Sequence, residues 1–140
     1  MAARKPRVRW VERLVVEAVQ LDLIREHGGM HGLRDEHALQ ATLARATQRR
    51  AYDDGAADLA TLAASYGHGL CSSHPFNDGN KRIAFVTMAI FLGLNGQEID
   101  APETEVVEVM MGLAATELAE DELASWLLSR MVPTSAPESG

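Results

Sequence analysis

Cysteine occurs once in this 140-residue chain, at Cys71, so no internal disulfide can form and a reducing, cytoplasmic setting is expected. Aromatic residues are scarce at 5%, against an apolar fraction of 46%, which points to a core of Leu, Ala and Val packed between helices. Basic residues do not outnumber acidic ones. The formal charge of −7 argues against a general nucleic-acid binder, which needs a net basic surface. The longest apolar run, Ile83 to Leu94, is too short to span a bilayer, and the basic start leads into an amphipathic pattern instead of a secretion signal. No membrane association is expected. There is no internal repeat and no sustained period-two alternation. Lysine is nearly missing: of thirteen basic residues only Lys5 and Lys81 are Lys.

What is present reads as one all-α domain, a compact bundle of six helices around a buried central one. Residues 1–9 form a basic, Pro-containing arm expected to be flexible, the domain spans 10–131, and residues 132–140 read as a disordered tail. A first helix is expected from Trp10 to Glu26, with Leu14, Val15, Val19 and Leu21 among its apolar positions, stopped by Gly28-Gly29. Asp35 should cap a second helix to about Ala46, and Tyr52 to Gly55 reads as a turn. A third helix runs from Asp58 to Ser72. The central helix follows, from Asn80 to Leu94, ending at Asn95-Gly96. Pro102 opens a fifth helix, from Glu103 to about Leu118, and Asp121 begins a sixth that carries Trp126. Charge is uneven. Glu98 to Glu122 holds no basic residue, and the solvated-face reading is preferred to a binding patch, although an acidic surface could attract a basic partner.

Residues 74–82 read His-Pro-Phe-Asn-Asp-Gly-Asn-Lys-Arg, a polar, turn-forming loop that opens onto the apolar Ile83–Leu94 helix. The first N–H groups of that helix have no internal partners and carry the positive end of its dipole. With Lys81 and Arg82 in the first turn, this end is suited to phosphate. His74, just before it, is the side chain best suited to accept a proton near neutral pH. Asp78 has an ordinary reading as a helix cap, which does not exclude a metal. Gly79 and Asn80 form the turn, where glycine allows close phosphate approach, and Phe76 reads as an inward anchor beneath His74. A base beside an anion hole points to nucleotide-dependent transfer to a hydroxyl.

This segment resembles the signature of the Fic/Doc family, His-x-Phe-x-(Asp/Glu)-(Gly/Ala)-Asn-x-Arg, matched by His74, Phe76, Asp78, Gly79, Asn80 and Arg82. Weaker similarity runs through Glu26–Gly29, Gly32–Glu36, Ala44–Ala46 and Tyr52, and again through Ala114–Leu118 and Leu123–Leu127. Nucleotidyl-transferring members usually carry Gly and a second Arg where this chain has Lys81 and Phe85. The Asn-Lys-Arg variant is similar to the death-on-curing (Doc) toxins, which use ATP in the reverse sense as kinases. The resemblance implies a six-helix fold, His74 as catalytic base, and Asp78 as the Mg²⁺ ligand. Gly79, Asn80, Lys81 and Arg82 would bind the ATP phosphates. It also implies a protein substrate, with elongation factor Tu as the family's target, growth arrest, and a Phd-like antitoxin as partner. Nucleotidyl transfer, or a non-catalytic interaction domain, are the competing readings. The family often has His where this chain has Gln20, and a basic residue or Asn just before the motif, where Ser72 and Ser73 stand. Thr134 to Glu138 comes close to the family's inhibitory-helix pattern, but Pro133 and Pro137 disfavour a helix there, so inhibition by a separate partner is expected.

Overall fold

Glycine and short polar side chains set several of the helix ends, as the sequence implies. The computed structural model describes residues 7–52 and 58–134, with elements α1 (Arg13–His27), α2 (Glu36–Tyr52), α3 (Leu59–Ser73), α4 (Asn80–Leu94), β1 (Gln97–Ile99), α5 (Glu103–Ala114), α6 (Glu120–Arg130) and β2 (Met131–Pro133). At the end of α1, Gly28 takes φ 83° and its N–H donates to Ile24 O at 2.7 Å. The Asp35 carboxylate accepts the Ala38 N–H at 3.0 Å, and the Asp58 carboxylate accepts that of Thr61 at 2.7 Å. Helix α2 runs past Ala46 to Tyr52 because no breaker stands between them. Of the predicted turn from Tyr52 to Gly55, Tyr52 is helical and the rest lies outside the described residues. Helix α5 stops at Ala114, short of the predicted Leu118. The Gly112 carbonyl accepts the N–H groups of Glu117 and Leu118 at 2.9 and 3.2 Å, while Thr116 turns left-handed at φ 60°.

Among the described residues there are six helices, as expected, together with a short antiparallel hairpin that the sequence did not reveal. Gln97 pairs with Pro133, Glu98 with Val132 and Ile99 with Met131. Three-residue strands are too short to show an alternation. The hairpin ties down part of the expected tail: Val132 and Pro133 are in β2, and the Thr134 N–H donates to Gly96 O at 3.0 Å. The arm is similarly held at its inner end. Arg9 donates its N–H to Asn95 Oδ1 and accepts from Asn95 Nδ2, both at 2.9 Å. Residues 1–6 and 135–140, with most of the near-inhibitory segment, lie outside the described residues.

The core forms around α3 and α4 together. Helix α4 was expected to be the one buried helix, but α3 buries ten of its fifteen residues and α4 six of fifteen. Small residues make this possible. Gly67 of α3 faces the Met88 side chain of α4, and a Cβ on Gly69 would stand 2.6 Å from Thr42 Cγ2 of α2. Phe91 of α4 packs at 5.2 Å from the Tyr66 ring and 5.9 Å from that of Trp10. Helix α1 lays only a narrow stripe on this core, with Val16 and Gln20 buried. Leu14 and Val15, read from periodicity as inward, are exposed. Among the described residues, no helix is long and apolar enough to cross a membrane.

Helix α6 is joined to its neighbours by charge. Glu120, at its start, meets Arg45 Nη2 at 2.7 Å, Arg49 Nη1 at 3.3 Å and His68 Nδ1 at 3.4 Å. Farther along, Glu105 of α5 accepts the Trp126 indole N–H at 3.0 Å and pairs with Arg130 at 2.6 Å. The indole bond, then the Arg130 guanidinium, hold the Glu105 carboxyl below the usual carboxylate range. A depressed folded-state pKa adds stability above the unfolded value of about 4.3, and this is lost as pH falls through the folded value. Glu105→Gln is therefore expected to melt below the wild type at pH 7, with the gap closing near pH 3. Thermal melts at the two pH values check this; an equal gap at both would leave packing as the cause.

Candidate active site

Helix α3 ends in a conformation that side chains avoid. His74 is exposed and takes φ 49° and ψ 58°, the left-handed region, which costs a non-glycine residue about 1–2 kcal/mol. A second loop holds the segment in place. The Pro75 carbonyl accepts the N–H groups of Arg34 and Asp35 at 2.8 and 3.0 Å, and the Gly32 carbonyl accepts that of Asn77 at 3.0 Å. Between them Phe76 bridges Leu33 in an isolated β-pairing and is buried to 2% exposure, the inward anchor that was predicted. The glycine-rich connection between α1 and α2 thus serves as a cradle for the motif loop.

Gly79 and Asn80 turn this loop into α4. Gly79 takes φ 83°, a value that favours glycine, and a Cβ there would meet nothing closer than 3.6 Å, so conformation and not space is the requirement. Asn80, read from sequence as a turn and phosphate residue, turns its amide inward. Its Oδ1 accepts the Phe76 N–H at 3.0 Å and its Nδ2 donates to the Phe76 carbonyl at 2.9 Å. Its side chain therefore shapes the loop, leaving the backbone at the helix start for any ligand. No side chain caps α4, and Lys81 and Arg82 are exposed in its first turn. This is an anion-binding arrangement. Lys81 also sits near the buried Cys71: burial pushes the thiol up, and the Lys81 charge opposes that rise.

Asp78 Oδ2 accepts the Met30 N–H at 2.7 Å, and the carboxylate is exposed. Among the described residues no group of three or more His, Cys, Asp or Glu side chains could enclose a metal. A single exposed carboxylate with one oxygen already oriented fits Mg²⁺, which keeps several waters and takes further oxygens from phosphates. It does not fit a metal that needs a full protein cage.

A cleft of about 400 Å³ adjoins the cations, lined by Leu23, Phe85, Val86, Val106 and Met110 with Lys81 and Arg82 at its edge. Phe85 is half-buried against the core and forms one wall of this cleft. The α5 wall was invisible in the sequence, since nothing there said which helix would face α4. Arg45 and Arg49 are not part of the site. They line a separate cavity with Asp58 and Thr61, at the start of α3, the end remote from His74. Of the other histidines, His68 Nδ1 lies 3.4 Å from Glu120 and His27 Nε2 lies 3.8 Å from Glu26, while His31 and His37 are exposed. Two contributors escaped the sequence reading. They are the Met30 N–H and the role of Gln20, whose only signal was that it stands where the family often has His.

A family model described as the Fic/DOC family matches residues 10–92 of the chain. Among curated proteins, the "Protein kinase doc" of Escherichia phage P1 is 32% identical over 105 residues, which cover 74% of this chain and 81% of that protein.

The inward-turned amide of Asn80 makes a prediction about the loop. Asn80→Ala removes both bonds to the Phe76 backbone and is expected to lower stability by about 1–3 kcal/mol, the penalty of leaving partly buried partners unsatisfied. Denaturant unfolding measures it, and a loss well below this range would mean that water replaces the amide.

Proposed function

Because the chain belongs to the Fic/DOC family, we propose that it is a Doc-type toxin kinase, moving the γ-phosphate of ATP to a Ser or Thr hydroxyl of a protein. The observation that carries this reading is the uncapped start of α4, with Lys81 and Arg82 exposed in its first turn and His74 on the loop that enters it. The name of the phage relative, a protein kinase, supports the same class.

In this mechanism the target hydroxyl gives its proton to His74 as its oxygen bonds to the γ-phosphorus; the bond from that phosphorus to the bridging oxygen breaks, and ADP leaves. The first-turn N–H groups of α4 and the Arg82 fork hold phosphate oxygens, and Gly79 lets the chain turn beneath them. Lys81 fills the space that a glycine would leave and adds a point charge, so the terminal phosphate faces His74. Mg²⁺, when bound by Asp78 and phosphate oxygens, supplies charge neutralisation. The apolar cleft beside Lys81 and Arg82 is of a size to take the nucleoside end. By the same family argument the target is a translation factor such as elongation factor Tu, the outcome is growth arrest in the cytoplasm, and a Phd-like antitoxin restrains the toxin.

The direct test is ATP labelled at either the α or the γ position, incubated with the protein, Mg²⁺ and a bacterial lysate. Label is expected on a protein band only from the γ position, with a mass gain of one phosphate. Transfer from the α position would replace this reading with nucleotidyl transfer, and transfer from neither with a non-catalytic interaction domain.

His74→Ala is expected to keep the fold and ATP affinity while lowering phosphorylation by about 10²-fold or more, the usual size of a general-base effect. Near-normal modification by this variant would remove His74 from the role. Asp78→Ala should abolish the Mg²⁺ dependence of ATP binding, read by titration with and without the metal; if the dependence survives, Asp78 is not the metal's ligand.

A further inference from the structure

Gln20 is a polar residue in an apolar place, 1% exposed on the inner face of α1. Every hydrogen-bonding end of its amide is used on backbone. Nε2 donates to the Met30 carbonyl at 3.2 Å and lies 3.4 Å from the Asp78 carbonyl, while Oε1 accepts the Gly32 N–H at 3.2 Å. The two carbonyls on one side and the N–H on the other allow only this orientation of the amide. Gln20 therefore ties three points, two in the α1–α2 connection and one in the motif loop.

Met30, whose carbonyl is one of those points, also supplies the N–H that holds Asp78 Oδ2 at 2.7 Å. Beside it, Gly29 takes φ 111°, and a Cβ there would stand 3.1 Å from Asp78 Cβ and 3.3 Å from Asp78 Oδ2. The carboxylate thus lies against the bare backbone of the connection, and its direction depends on how that connection is held. We propose that Gln20 is a positioning residue: by fixing Met30 and Gly32 it aims the Met30 N–H at Asp78 and sets one carboxylate oxygen, leaving the other turned to the ligand side. The consequence for metal rests on the reading of Asp78 given above. Gln20 acts only through Asp78 and Met30 and touches no reacting atom.

Two substitutions separate this role from mere packing. Gln20→Met keeps the volume and removes both bonding ends, and Gln20→Glu keeps an acceptor for the Gly32 N–H but sets a carboxylate against the two carbonyls. Partners that orient a metal ligand are worth about 10–100-fold in metal affinity. Both variants are expected to lose Mg²⁺-dependent ATP affinity on that scale while ATP binding without metal stays at the wild-type level. Amide hydrogen exchange at Met30, measured without nucleotide, should quicken in both, and thermal melts identify any variant too unstable to compare. Unchanged Mg²⁺-dependent affinity together with wild-type exchange at Met30 overturns the proposal. So does an equal loss of ATP affinity with and without metal, which would show a general loosening. Asp78→Ala serves as the control for the metal reading. If it leaves the Mg²⁺ dependence intact, that reading falls, and Met30 exchange alone decides whether Gln20 holds the connection: fast exchange in the variants upholds it and wild-type exchange overturns it.

Discussion

The site depends on a backbone exchange between two loops far apart in the chain. Neither the connection 28–35 nor the loop 74–79 belongs to a helix, so each carries N–H and C=O groups that must find partners. They find them in each other: the Pro75 carbonyl takes the N–H groups of Arg34 and Asp35, and the Gly32 carbonyl takes that of Asn77. The buried Phe76 ring fastens the junction from beneath. With both sides fixed, His74 can be held in a left-handed conformation and Asp78 can lie against Gly29. A free loop of this composition would relax out of both.

Helix packing supplies the other half of the constraint. The loop 74–79 joins the two helices that share the deepest burial, so the separation of their ends fixes how far His74 stands from the first N–H groups of α4. That separation is set by Gly67 against Met88 and by the alanines along α3, well away from the chemistry. A general base must first be in reach of its proton, and only then does its acidity matter. The small residues of α3 are thus functional through geometry, although none of them faces the loop.

Much of this was legible in the sequence. Gly28, Asp35, Asp58 and Asn95-Gly96 mark helix ends by local chemistry, and local chemistry survives folding. The motif was legible because nine residues combine a polar turn, two cations and an imidazole ahead of an apolar helix. What escaped depends on contacts between distant segments. The hairpin joins residues 97–99 to 131–133, and neither strand is long enough to declare itself. Asn80 looked available to a ligand until the structure turned its amide onto Phe76. Gln20 stood in the sequence only as a departure from a family habit. Its importance comes from three partners that lie ten or more residues away. Periodicity misled at Leu14 and Val15, because α1 meets the core along a single stripe and leaves both outside it.

Charge arrangement links the acidic composition to the anion site. The segment from Glu98 to Glu122 holds no basic residue and could have been read as a surface awaiting a basic partner. Part of its charge is instead satisfied inside the molecule: Glu105 holds Arg130, and Glu120 gathers Arg45, Arg49 and His68. Several of the chain's arginines are thereby committed to joining helices. Lys81 and Arg82 are arranged differently, for they stand exposed at the positive end of α4, where the helix dipole disfavours cations. Two cations and an uncapped helix start in one place raise the energy of the free protein locally, and a bound anion lowers it. In a chain of net charge −7, these two cations thus stand at the helix start where the phosphates are proposed to bind.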